Sequence, residues 1–343
     1  MLAPVPLGRN SGLRVSRLGL GTMNFGEPGR GHQGDWTLGA DDARPIFRCA
    51  IEHGLTYFDC ADFYGIGASE ETVGRLLRDL LPRDEYVLAT KLAMPMGRGA
   101  NQVGLSRKHI LEGIDRSLQR LGLDYVDHLV IHRHPHGIPG AARTPIEETM
   151  EALHDVVKAG KALYLGASSM FAWQFAELQH AAERGGFTKF VSMQNHYNLV
   201  YREEEREMNP YCAHTGVGLT PWSPLARGIL AGAYRGGFEK GTTARSQGTD
   251  RGRTEMLYRG DHVFEVADRV IETADKLGHT PAQIAVAWLL HKPEVTAPIV
   301  GVSRVEQLEQ LVAAADIELE EATIAYLEEP YRPVENLLST GMS

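Results

Sequence analysis

Several things are scarce in this sequence, and each scarcity closes off a class of protein. There are three cysteines, Cys49, Cys60 and Cys212. They are widely separated and odd in number, so they offer neither a disulfide framework nor a metal-ligand spacing; reduced thiols in a cytoplasmic setting are expected. No apolar run approaches the roughly 20 residues needed to cross a bilayer, which argues against a membrane partner. The first residues lack a basic segment followed by an apolar core, so no secretory signal peptide is expected. No block of Lys and Arg interrupts a chain of formal net charge −9. A nucleic-acid partner needs concentrated basic side chains against its phosphates, and none is expected here. There is no fixed-period repeat and no low-complexity tract. What remains is 343 residues of ordinary apolar and charged content, a length that suits one large α/β barrel domain spanning 1–343.

The pattern along the chain supports that reading. Short apolar, strand-like runs lie near residues 18–22, 55–59, 86–90, 126–131, 162–167, 190–194, 217–221 and 297–300. Amphipathic segments separate them, for example 106–120, with Ser106 as a cap, and 146–159, started by Thr144-Pro145. Eight strands with helical crossovers predict a (β/α)8 TIM-type barrel. Ahead of them, Val5 to Ser16 reads as a β-hairpin turning at Asn10-Ser11-Gly12. Three stretches break the rhythm: 93–105, 132–145 and the long insertion 224–260. Loops of that length in a compact domain are usually lids or binding segments. The tail, Glu328 to Ser343, is expected either to fold over the barrel mouth or to lack fixed structure.

Four residues carry the chemistry. Asp59, Lys91 and His132 close three successive strand-like runs, and Tyr64 follows Asp59 by five residues. In a parallel barrel the carboxyl ends of all strands meet on one face, where active sites lie. Taken singly, each residue has a plain structural explanation: a turn-forming Asp, a solvated rim Lys, a packed Tyr, a satisfied His. Together at consecutive strand ends they point to proton transfer onto a carbonyl oxygen. Asp59 would pair Lys91, and Lys91 would draw the Tyr64 phenol below its usual pKa of about 10. His132 would orient the carbonyl and Tyr64 would act as general acid. No side chain supplies a hydride, so a cofactor must.

These residues lie in motifs that resemble those of the aldo-keto reductases. Phe58-Asp59-Cys60-Ala61-Asp62-Phe63-Tyr64-Gly65, followed by Gly67-Ala68-Ser69-Glu70-Glu71, is similar to the family signature. So, in the expected order, are Gly19-Leu20-Gly21-Thr22-Met23, Gly166-Ala167-Ser168-Ser169, Gln194-Asn195-His196-Tyr197-Asn198-Leu199, Trp222-Ser223-Pro224-Leu225 and Pro298-Ile299-Val300-Gly301. Each motif is weak alone; the ordered set covers nearly the whole chain and is specific. The resemblance puts the family's catalytic tetrad on Asp59, Tyr64, Lys91 and His132 without substitution. It also implies a hairpin closing the amino-terminal end of the barrel.

The resemblance further implies an NADPH (NADP+) site. Trp222 would stack on the nicotinamide, and Ser168, Ser169 and Gln194, beside Asp59, match positions around its carboxamide. Gly21, Thr22 and Met23 match a loop nearby. Ser223, Pro224, Leu225, Ala226, Arg227 and Gly228 match the pyrophosphate loop, and Arg245 a basic clamp. Gly301, Ser303, Arg304, Gln307 and Gln310 match the adenosine-phosphate segment at the start of the last barrel helix, where free amides favour an anion. Arg304 is suited to a 2′-phosphate, which favours NADPH over NADH. The sequence departs from the pattern at Ala233 and Leu311, where relatives often carry Lys and Asn, and at Met23 and His134, where Trp and Asp are common.

The branch most similar to this sequence contains aryl-alcohol dehydrogenases and secondary-metabolite reductases, which implies an aromatic or polyketide-like carbonyl substrate. The same fold serves as the β-subunit of potassium channels, so a nicotinamide-binding regulatory module is the alternative reading. A (β/α)8 hydrolase or isomerase is disfavoured by the Trp222 and Gly301–Gln310 segments. Homo-oligomers are compatible with the sequence. Gly65-Ile66-Gly67-Ala68-Ser69-Glu70 lacks the third glycine of a dinucleotide fingerprint. His132, His134 and His136 lack an acidic partner spacing and are interrupted by Pro135, so no metal site is expected. Glu203 to Glu207 reads as a solvated helix start.

Overall fold

The computed structural model describes residues 1–31, 34, 36–138, 140–248 and 250–338, without the side chains at 244 and 245. Strands β1 (Pro4–Pro6) and β2 (Arg14–Ser16) form an antiparallel hairpin. Eight further strands follow: β3 (Gly19–Gly21), β4 (Tyr57–Asp59), β5 (Val87–Leu92), β6 (Val126–Ile131), β7 (Ala162–Ser168), β8 (Phe190–Gln194), β9 (Gly218–Leu219) and β10 (Ile299–Val300). They pair in parallel in the order β10-β3-β4-β5-β6-β7-β8-β9. Parallel bridges Leu219 to Val295 and Trp222 to Ile299 join the two outer strands, so the sheet closes on itself as a barrel.

The helices between strands are α1 (Ala40–Glu52), α2 (Ala68–Leu80), α3 (Arg107–Leu121), α4 (Ile146–Lys158), α5 (Ala172–Gly185) and α6 (Met208–Thr215). After β9 come α7 (Ala244–Gln247), α8 (Asp250–Leu257), α9 (Val263–Leu277) and α10 (Pro281–His291), and after β10 come α11 (Val305–Ala313) and α12 (Glu321–Glu328). The residues of α3 explain its extent. The Ser106 hydroxyl accepts from His109 N at 3.3 Å, and Gly122 ends the helix in a left-handed conformation that a residue with a Cβ adopts less readily. Ile110, Ile114, Leu118 and Leu121 recur at helical spacing and are buried against the sheet. In α10 the side chains of Thr280 and Gln283 cap the first turn reciprocally, with Pro281 just inside the start.

Strand positions are close to those expected, but β9 and β10 are only two residues long. The insertion 224–260 contains the short helices α7 and α8. The hairpin plugs the amino-terminal end of the barrel. Leu7 and Val15 are buried with Tyr57, Val87, Ala89, Ala297 and Ile299, and the Ser16 hydroxyl accepts from the Thr56 and Tyr57 amides at 3.0 and 3.2 Å. Gly8 makes the contact tight. Its φ is +77°, and a Cβ there would fall 2.7 Å from both Gly216 O and Gly218 N.

The described part of the tail packs beside the mouth. The Leu337 amide donates to the Tyr201 hydroxyl at 3.1 Å, and the Val334 amide donates to Glu203 at 3.0 Å. Residues 339–343 lie outside the described residues. Here one expectation fails: Glu203 and Glu204 are buried rather than solvated. Glu203 is held by the Tyr331 hydroxyl at 2.6 Å, while burial beside Glu203 pushes the Glu204 carboxyl up to about 8. Tail residues far along the chain cover what a local reading takes for an exposed acidic turn.

Candidate active site

Strand register assembles the site. Asp59 pairs with Ala89 and with Gly21 across the sheet. Lys91, two residues beyond Ala89, points to the same side of β5 because strand side chains alternate. Lys91 is fully buried and Asp59 nearly so. The Lys91 ammonium donates to Asp59 Oδ2 at 2.6 Å, to the Cys60 carbonyl at 2.8 Å and to the Tyr64 hydroxyl at 3.2 Å, satisfying all three of its protons. His132 follows β6, its amide bonded to Leu92 O at 2.8 Å, and its ring meets Tyr64 edge to face at 5.9 Å. The structure therefore brings all four predicted residues together.

Burial sets the electrostatics. It pulls the Lys91 ammonium down, but Asp59 and Tyr64 outweigh it and the group is held above its usual value. Burial also pushes the Tyr64 phenol up, and this exceeds the opposing pull of Lys91. The expectation of a lowered phenol pKa is thus reversed, because desolvation at this partly buried phenol outweighs the nearby ammonium. His132 is held well below its usual value by burial and by Arg133 and Lys91, so its imidazole is neutral near pH 7. Its Nδ1 is buried without a partner.

The expected cofactor residues continue from this cluster. Gln194 Nε2 donates to Asp59 Oδ1 at 2.8 Å, and Ser168 Oγ donates to Gln194 O at 2.8 Å. The Trp222 indole donates to Ser169 Oγ at 3.0 Å and stacks on His196, with centroids 4.1 Å apart; His196 stacks in turn on Tyr201 at 4.3 Å. Thr22 hydrogen-bonds Asp59 O and Ser69, with Gly21 and Met23 beside it. Ser169, Ser223, Ala226 and Arg227 all have positive φ, as does Gly228. Such strain in residues with side chains is costly and tends to gather at functional loops. Leu225, at φ −98° and ψ 13°, is followed by left-handed Ala226, and such a right-then-left pair turns successive backbone amides toward one side, as in anion-binding nests. Pro224 and Leu225 lie within the same turn.

Other predicted positions stand differently. The Arg227 guanidinium is ion-paired to Asp250 and bonded to Thr254 Oγ1 at 3.2 Å, so it braces the insertion on α8. Arg245 lies in α7, and its side chain is outside the described residues. Gly301, Ser303 and Arg304 lead into α11, with Arg304 at its N-cap, exposed, and Gln307 accepting from the Ser303 amide at 2.9 Å. Gln310 is exposed one turn further on. Ala233 and Leu311 are buried, so neither presents a polar group at this face.

Some neighbours were missed from sequence. Glu70 accepts from Thr90 Oγ1 at 2.5 Å and from Arg120 Nε at 2.7 Å, which ties α2 and α3 to the strand that carries Lys91. Asp62 is buried, and that burial, with Glu70 nearby, raises its carboxyl well above the usual carboxylate range. The Glu70-Glu71 pair inside the tetrad motif was the available signal, but nothing local distinguishes the buried Glu70 from the exposed Glu71.

Comparison with known proteins agrees with this architecture. Residues 17–332 match the sequence profile described as the Aldo/keto reductase family. Versiconal hemiacetal acetate reductase of Aspergillus parasiticus is 43% identical over 344 residues, covering 94% of this chain and 96% of that protein. A Schizosaccharomyces pombe protein with the provisional name aryl-alcohol dehydrogenase is 44% identical over 349 residues, 95% of each chain. An aldo-keto reductase of Metarhizium robertsii is 42% identical over 349 residues, 94% of this chain and 90% of its own. With the profile running over nearly the whole barrel and these relatives aligned along its length, the chain belongs to the aldo/keto reductase family of oxidoreductases.

Proposed function

We propose that this chain, acting as one barrel domain over residues 1–343, uses NADPH to reduce an aldehyde or ketone to an alcohol, with Tyr64 giving the proton. The observation that carries the proposal is the Lys91 ammonium joined at once to Asp59 and the Tyr64 hydroxyl. Carbonyl reduction is the coarse activity that the family and its relatives support. Their names favour an aromatic or polyketide-like carbonyl.

The residues at the mouth fit a nicotinamide dinucleotide. Trp222 is held flat by its stack on His196 and by its bond to Ser169, leaving it partly exposed. The loop from Ser223 to Gly228, with its right-then-left pair at Leu225-Ala226, suits a diphosphate. Arg304, exposed at the N-cap of α11, suits the extra phosphate of NADPH. When bound, the nicotinamide supplies the hydride. Among the chain's own groups, Tyr64 stays protonated at neutral pH because burial raises its pKa, which favours the acid role and hence reduction. Lys91 then stabilises the phenolate left after proton transfer, and Asp59 keeps Lys91 charged and in place. Neutral His132 donates to the carbonyl oxygen and aligns it beside Tyr64. Three free, buried cysteines support a cytoplasmic setting.

The test is NADPH consumption, followed by its near-ultraviolet absorbance, with a panel of aromatic aldehydes and ketones and with NADH in parallel. Turnover that prefers NADPH is expected. Binding of NADPH without turnover of any carbonyl would move the reading to a sensing module, and no binding would refute it.

A further inference from the structure

Three flat rings stand in a row behind the proposed cofactor face. Tyr201 stacks on His196 with its plane 11° from parallel, and His196 stacks on Trp222 at 10°. His196 thus covers one face of the Trp222 indole, whose edge is bonded to Ser169, so a nicotinamide would have to use the opposite face. Burial, with Arg227 and Arg133 nearby, lowers the His196 pKa to about 3, so the ring is neutral near pH 7 and puts no charge beneath that platform.

The far end of the row is fixed by the carboxyl tail. The Tyr201 hydroxyl accepts from the Leu337 amide at 3.1 Å and donates to Asn336 Oδ1 at 3.3 Å. Nearby the Val334 amide is held by Glu203, which follows Tyr201 closely in the chain. The middle of the row is fixed by the insertion. The Tyr258 hydroxyl, just after α8, lies 2.8 Å from His196 Nε2. The Asn198 amide donates to that hydroxyl at 3.3 Å and to Ser223 O, beside Trp222, at 2.9 Å. Tyr201, Tyr258, Val334 and Leu337 also line a cavity of about 270 Å³. Tail and insertion are therefore not packed solidly against each other here, and the named bonds and stacks decide where the rings sit.

We propose that His196 and Tyr201 are positioning residues that couple the carboxyl tail to the cofactor. The tail, docked on Tyr201, backs the row of rings, and the row sets the plane and depth of Trp222 against the nicotinamide. The inference rests on the reductase reading, in which Trp222 carries the nicotinamide, and adds to it a dependence on residues 334–337. Coupling between two binding events is reciprocal. Whatever the docked tail contributes to cofactor affinity, bound cofactor returns as firmer docking of the tail.

The experiment follows hydrogen exchange of the Val334 and Leu337 amides with and without NADPH, and measures NADPH affinity by calorimetry, which does not depend on tryptophan emission. In the parent, NADPH is expected to slow this exchange about fivefold. His196→Ala, which breaks the row, is expected to weaken NADPH about fivefold and to cut the slowing to less than about twofold. His196→Phe, which keeps a flat ring, is expected to restore most of both. A histidine that served folding alone would lower the melting temperature when replaced but leave the ratio of exchange rates with and without NADPH as it was. Should His196→Ala fail to fold, Tyr201→Phe, which keeps the stack and drops the bonds to the tail, carries the variant arm and is likewise expected to lose the slowing. If the parent binds NADPH and exchange at these amides is unmoved, or if His196→Ala binds it as tightly as the parent, the coupling is refuted and the reductase reading stands. If the parent does not bind NADPH, both are overturned.

Discussion

Replacing Asp59 by Asn removes one charge and little else. The amide keeps the shape and can still accept from Gln194, which bonds Asp59 Oδ1 at 2.8 Å. Lys91 keeps Cys60 O and the Tyr64 hydroxyl but loses its counter-charge inside a site where it is fully buried. Breaking a buried pair on one side costs about 3–5 kcal/mol. With an unfolding entropy of about 2.1 cal/mol/K per residue over 343 residues, that corresponds to a fall in Tm of about 4–7 °C. The pH dependence gives a second handle. In the parent the Lys91 pKa is raised, so the pair's contribution is present below the usual lysine value and is lost only as pH rises through the raised one. In Asp59→Asn the raising partner is gone and burial pulls Lys91 down. The deficit should therefore shrink between neutral and strongly alkaline pH, as the lysine sheds its proton. Asp59→Asn/Lys91→Met, which removes both charges, should recover most of the loss. Thermal and urea melts of the parent and the variants at two pH values measure all of this. A single variant as stable as the parent at neutral pH, or a double variant no better than the single, would refute the argument.

Tyr64→Phe should lower kcat by at least about a hundredfold, the low end for a lost general acid, while NADPH still quenches tryptophan fluorescence with similar affinity; parental turnover would remove Tyr64 from its role. Because burial raises Tyr64 and lowers His132 well below its usual value, the rate of reduction should be flat across neutral pH and fall only in the alkaline range as the phenol ionises. An inflection between about pH 6 and 8, the range of an ordinary imidazole, would contradict the assignment. Gly8→Ala should destabilise by about 2–4 kcal/mol, read as a lower urea midpoint, since it combines a left-handed φ with backbone contacts too close for a Cβ.

Much of the fold and of the candidate site was legible because it is encoded locally or periodically. The runs at 55–59, 86–90 and 126–131 show their strands by apolar content, and the ionisable residues at or just beyond their ends show the site. What escaped depends on distant partners. Glu203 and Glu204 look like a solvated acidic turn until Tyr331 and Val334 cover them from the tail. The direction of the Tyr64 pKa required knowing how far desolvation of the phenol outweighs the nearby Lys91, which no spacing of residues reveals. Arg227 reads as a phosphate ligand from its motif, yet Asp250, in the insertion, pairs with it. The left-handed conformations of Ser223 and Ala226 carry no sequence mark, because neither is glycine.

The seam of the barrel has a consequence for how the protein is made. Ile299 pairs with Gly19, so an earlier-made segment waits for one made much later. Until then Gly19–Gly21 presents an open edge, and Asp59, Lys91 and His132 stand on a curl that nothing yet holds shut. Pairings so remote along the chain close slowly and leave sticky intermediates exposed meanwhile. Substitutions at the Leu219–Val295 and Trp222–Ile299 junctions should therefore lower the yield of folded protein before they alter the finished enzyme.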